Sequence, residues 1–214
     1  MTVQKQDISK EEQLNVITHG YGALLSVLAF ILLLYVAISH GEVWRIAGTV
    51  VYGITLVLMF TISTIMHILP AGKRKKRFVM YDHMMIYLFI AGTYTPFLLV
   101  AMRNTIGYTA LALIWLIAII GVCYKRFYTG KYMWFSTLWY LIMGWGVAFL
   151  WKDLSIVLGQ NGLWLLLIGG ISYTIGIVFF VWERLRYHHG IWHMFVLAGA
   201  ALHYGCIFIV MLYE

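Results

Sequence analysis

Seven apolar stretches follow one another along this chain, each close to the roughly 20 residues that a helix needs to cross a hydrocarbon core about 30 Å thick. They cover residues 17–39, 44–69, 79–101, 106–124, 132–151, 162–182 and 190–212, with short polar connectors between them. Backbone groups in lipid must be hydrogen-bonded within their own segment, so stretches of this length are expected to be helices. Of the 214 residues 63% are hydrophobic and only 11% charged, whereas soluble domains carry about 25% charged residues. The expected fold class is an all-α integral membrane protein, a seven-helix bundle. Residues 1–16 form its N-terminal segment and residues 17–214 its transmembrane domain.

Local signals agree with this division. Pro70 and Gly72 stop the second segment, since proline cannot continue a helical ladder. Pro96 falls inside the third and is expected to kink it. Asp7, Glu11 and Glu12 in the first fifteen residues do not fit a cleavable signal pattern, so the first segment is expected to stay as a helix. Cys123 and Cys206 lie in apolar runs and read as buried thiols rather than a disulfide framework.

The charges orient the bundle. The second connector carries Lys73, Arg74, Lys75, Lys76 and Arg77, the fourth Lys125, Arg126 and Lys131, and the sixth Arg184 and Arg186. With Lys5 and Lys10 these are twelve positive residues on one side, against Arg45, Arg103 and Lys152 on the other. The positive-inside rule then puts the N-terminus in the cytoplasm and the C-terminus outside. It also explains the net charge of +7 without a nucleic-acid partner. The run 73–77 suits anionic lipid headgroups as well.

Ionisable residues near hydrocarbon are costly and mark ion, metal or proton sites. Ser63 and His67, four apart, share a face near the cytoplasmic end of the second segment. Asp82 begins the third at the same level, and His189 and His193, again four apart, begin the seventh. Glu12, Asn15 and His19 follow a one-face pattern at the start of the first. Three imidazoles and a carboxylate at one depth form a set that zinc accepts. Taken singly, histidines at helix ends usually lie at the interface or bond to a backbone carbonyl, and His40, His83 and His188 are read so. Glu12 and Asn15 also suit the cap of a first helix. His203 lies about 15 Å beyond His193 along its helix, too far to share a site, and reads as a packing or hydrogen-bonded residue.

At these residues the chain resembles the hemolysin III branch of the progestin and adipoQ receptor family, relatives of the adiponectin receptors. Glu12, Asn15 and His19 match its E-x-x-N-x-x-x-H motif, Ser63 and His67 its S-x-x-x-H, and Asp82 the acidic position of the third segment. His189 and His193 match its terminal H-x-x-x-H. The resemblance implies zinc held by His67, His189 and His193, with Asp82 holding a water at the metal and Ser63 hydrogen-bonding beside it. Glu12, Asn15 and His19 would support or gate that centre.

Three protein ligands with an open fourth position are typical of catalytic zinc. The family's likeness to membrane ceramidases suggests a zinc-dependent hydrolase of acyl amides or esters in membrane lipid homeostasis, with Asp82 and Ser63 catalytic. The alternative is a lipid-responsive receptor or homeostasis protein in which zinc is structural. A pore-forming cytolysin fits worst, because there is no secretion signal and no amphipathic pore segment. Partners on either leading reading are membrane lipids or fatty acyl chains, and the location is a bacterial-type plasma membrane.

Overall fold

The structure, a computed structural model, describes residues 10–212. Residues 1–9, the larger part of the expected N-terminal segment and the position of Lys5, lie outside them. The described chain is helical almost throughout: α1 Lys10–His40, α2 Val43–Ile68, α3 Lys73–Pro96, α4 Thr105–Tyr128, α5 Met133–Trp145, α6 Trp151–Val181 and α7 His188–Leu212. A π-helical turn, Phe97–Ala101, prolongs α3, and a tight helical stretch, Gly146–Leu150, joins α5 to α6. Six of the helical runs are long and apolar enough to cross a membrane, the fifth being the 49-residue run Met133–Val181.

That run does not lie straight. Gly159 has φ 58° and ψ −174°, a conformation essentially confined to glycine. The indole Nε1 of Trp145 donates to Thr174 Oγ1 at 3.1 Å across 29 residues. A straight helix would hold residues so spaced about 44 Å apart, so the chain folds back between them. Its two arms, before and after the glycine, correspond to the fifth and sixth apolar stretches.

Helix boundaries differ from the sequence expectation where polar residues begin helices. α3 starts at Lys73, so Lys73–Arg77 form its first turns rather than a connector. Lys125 and Arg126 are likewise in the last turn of α4. Pro96 closes α3, and its missing N–H coincides with the change to π-helical bonding. Cys206 is buried, but Cys123 is exposed, because its side of α4 faces away from the bundle. Both are free thiols.

The core is a layer of apolar side chains centred on α2, α3 and α7, including Tyr52, Phe60, Tyr87, Leu98, Val196 and Ile207. Large apolar side chains such as Leu25, Leu28, Ile31 and Leu32 of α1 point outward, as a surface facing lipid requires. At one end of the bundle Arg45, on α2, donates to the Met211 carbonyl of α7 at 2.5 Å and pairs with Glu42 at 3.6 Å. At the other end meet the start of α1, the end of α2 and the start of α7, and there the polar residues gather.

Candidate metal centre

α2 brings in Ser63 and His67 one turn apart, both buried, and α7 brings in His189 and His193 with the same spacing. One ligand atom from each of His67, His189 and His193 lies within 4.8 Å of the other two. The Nε2 atoms of all three are buried and have no hydrogen-bond partner among the described residues. Unpaired buried nitrogens are costly. Three that converge are relieved by one cation, so these histidines can hold a metal ion.

The other ring nitrogens explain why Nε2 is the free one. His67 Nδ1 donates to Glu12 Oε2, because an ionised carboxylate only accepts. Glu12 also pairs with Lys75 of α3 through Oε1. His193 Nδ1 lies 3.1 Å from Thr18 Oγ1, whose own proton goes to the carbonyls of Leu14 and Asn15 at 2.9 and 3.0 Å. The imidazole is therefore the donor to Thr18 as well. Both rings are held as the Nδ1–H tautomer, which leaves the Nε2 lone pair for a metal.

Asp82 is buried, three turns into α3 rather than at its start, beside Ser63 and within electrostatic range of His67. Ser63 Oγ is 2.7 Å from His19 Nδ1. The His19 ring stacks on His193 with centroids 3.4 Å apart and planes 13° from parallel. Asn15 is buried between α1 and α7, its Oδ1 near Gly190. All eight residues singled out from the sequence thus lie in one neighbourhood. Glu12 lies in the first described turn of α1, where an acidic side chain suits the helix start, and Asn15 lies further along the helix. Thr18, which carried no role in the sequence reading, touches a candidate ligand directly. Its only signal was its place inside the first motif, next to His19.

The remaining histidines divide. His188 Nδ1 bonds to the Phe179 carbonyl and His203 Nε2 to the Leu166 carbonyl, each at 3.1 Å, which agrees with a structural reading of both. His83 departs from it: its Nδ1 is buried without a partner among the described residues. It lines a cleft that sequence inspection did not reveal. The cleft is lined by Asp82, His83 and His189 at this end and continues between α3, α5, α6 and α7 to His203. Its walls are largely apolar, and it is partly open to the surroundings.

Fold and site together define a helical membrane protein with a buried three-histidine pocket able to hold a metal ion. The chain belongs to the Haemolysin-III related family, whose model matches residues 8–204. It is 45% identical over 203 residues to Hemolysin-3 of Bacillus cereus, covering 95% of this chain and 93% of that protein. To the Hemolysin-3 homolog of Bacillus subtilis (strain 168) it is 40% identical over 198 residues, 92% of this chain and 93% of the relative. The Monocyte to macrophage differentiation factor of Homo sapiens is 34% identical over 172 residues, 78% of this chain and 71% of its own length.

Proposed function

We propose that this chain is a zinc-dependent hydrolase of lipid amides or esters, acting in membrane lipid homeostasis. It crosses the plasma membrane seven times with its N-terminus in the cytoplasm. The fold-back at Gly159, which divides the 49-residue run, supports the seventh crossing. The excess of Lys and Arg at the end of the bundle that holds the histidines supports the orientation.

The observation that carries the chemistry is the pair of enforced tautomers, which leave Nε2 of His67 and of His193 free within a cluster of three histidines beside a buried carboxylate. Three imidazole nitrogens in a closed pocket suit zinc, with His67, His189 and His193 as the ligands. When bound, zinc lowers the pKa of a coordinated water to about 7 and polarises a carbonyl. Asp82 is the general base, taking a proton at its carboxylate, and Ser63 holds that carboxylate in place. His19, hydrogen-bonded to Ser63, keeps the serine from turning away. The apolar cleft that opens beside Asp82 and His189 takes the acyl chain and keeps bulk water from the site.

The test is metal content and fatty-acid release from purified protein. Wild type should hold about one zinc per chain, and the triple variant His67→Ala, His189→Ala, His193→Ala almost none. Asp82→Asn should keep its zinc while release from a lipid amide falls at least about 100-fold, the usual worth of a general base. Full zinc in the triple variant would sink the site. Zinc-loaded wild type that releases no fatty acid from any amide or ester would leave a non-enzymatic receptor or homeostasis role, with zinc fastening α2 to α7.

A further inference from the structure

We infer that Lys125 and His83 form a binding site for the carboxylate head of a single-chain amphiphile at the edge of the cleft, with His83 in its wall and Lys125 directly behind Met133. The inference rests on the cleft as an acyl-chain site, as proposed above, and not on the metal.

Lys125 is fully buried. Its Nζ lies 3.6 Å from Met133 Sδ, and a thioether is too weak an acceptor to balance an ammonium. Among the described residues no carboxylate comes within 4 Å of it. A buried charge without a partner is strongly unfavourable. Lysines at the ends of membrane helices normally extend to the interface to avoid that cost.

The second observation is His83, whose Nδ1 is buried with no partner among the described residues. Gly121, one turn from Lys125 on α4, packs on the ring of Tyr87, one turn from His83 on α3, which brings the two residues to the same level of adjoining helices. Its carbonyl is already bonded by the Tyr140 hydroxyl at 3.0 Å, so the ring nitrogen is what remains to be satisfied there. His83 and Met133 both line the cleft. Asp82, next to His83, has its carboxyl engaged by Ser63.

One ammonium and one imidazole N–H match the single charge and two oxygens of a carboxylate better than a doubly charged phosphate. From this point the cleft follows α3 as far as Phe97, about 21 Å of helix, past Ile86, Ile90 and Leu141. A chain whose head is held at Lys125 would lie along this apolar stretch.

The test uses the full chain in an uncharged detergent at pH 8. Brominated stearate, brominated stearyl alcohol and brominated stearyl phosphate are titrated against quenching of the cleft tryptophans Trp145, Trp151 and Trp192. Wild type should bind stearate at least tenfold more tightly than the alcohol. In Lys125→Met that ratio should fall to about one with alcohol affinity unchanged, while Lys125→Arg keeps the preference. Without ligand, Lys125→Met should melt no lower than wild type, because it removes an unbalanced charge. The inference is overturned if Lys125→Met keeps the tenfold preference, if wild type does not discriminate, or if the phosphate binds more tightly than the carboxylate. Binding of the alcohol alone would refute only the headgroup site, whereas failure of every chain to bind would refute the acyl-chain cleft with it.

Discussion

Glu12 supplies no metal ligand, yet it should decide how tightly the ion is held. Its Oε2 accepts the hydrogen bond from His67 Nδ1–H, which selects the tautomer and fixes the ring with Nε2 free for the metal. Glu12→Gln keeps the shape but replaces a charged acceptor with a neutral one and gives up the pairing with Lys75. One ligand of three is affected, since His193 keeps its support from Thr18. Removing an outer partner of this kind costs about 10- to 100-fold in metal affinity, or roughly 1.4 to 2.7 kcal/mol. Competition for zinc against a chromophoric chelator, on purified protein in detergent, reads that shift directly. Glu12→Asp, whose carboxylate is one methylene shorter, should fall between Gln and wild type. An affinity within twofold of wild type in Glu12→Gln would refute the reasoning, because the carboxylate would then do nothing that an amide does not. A loss in Thr18→Val equal to that in Glu12→Gln would show that charge adds nothing to the neutral hydrogen bond.

Three further outcomes are expected. Stripping the ion with a chelator should lower the stability of wild type by about 2.7 kcal/mol when zinc had been present at 100 times its Kd, and leave the triple histidine variant unchanged; equal melting shifts in both would count against the site. Arg45→Met removes the cation that bonds to the Met211 carbonyl and should cost about 2 kcal/mol in a melting experiment, with zinc content untouched. A Cβ at Gly121 would run into the ring of Tyr87, which the core holds in place, so Gly121→Ala should lose about 1–3 kcal/mol, and full stability there would mean that α3 and α4 pack less closely than described.

Most of the site was legible because its residues are in costly places. His67, Asp82, His189 and His193 stand out from apolar surroundings, and the spacing of four puts each helical pair on one face. What no helical pattern conveys is which nitrogen of a ring is free. That depends on Glu12 and Thr18 of α1 meeting histidines far away in the chain. The helices themselves follow from the apolar stretches, but their ends do not, since hydropathy counts a basic residue as connector whether or not it is helical. Lys73–Arg77 were misplaced for that reason. Hydropathy places Lys125 in a connector on the same ground, and only its neighbours show it to be buried. The cleft could not be foreseen, because it is a property of how α3, α5, α6 and α7 stand apart.

The histidines that converge come from α2 and from the first turns of α7, with more than half the chain between them. During synthesis His67 is made long before its partners and cannot be part of a complete centre until the last helix has been inserted and docked. On the proposed reading, loading of the ion is therefore the closing event of biogenesis, and a chain truncated before α7 would have no means of retaining it. Since an ion that binds only the finished bundle adds its binding energy to that state, metal supply during growth should set how much mature protein accumulates in the membrane, even at constant rates of translation.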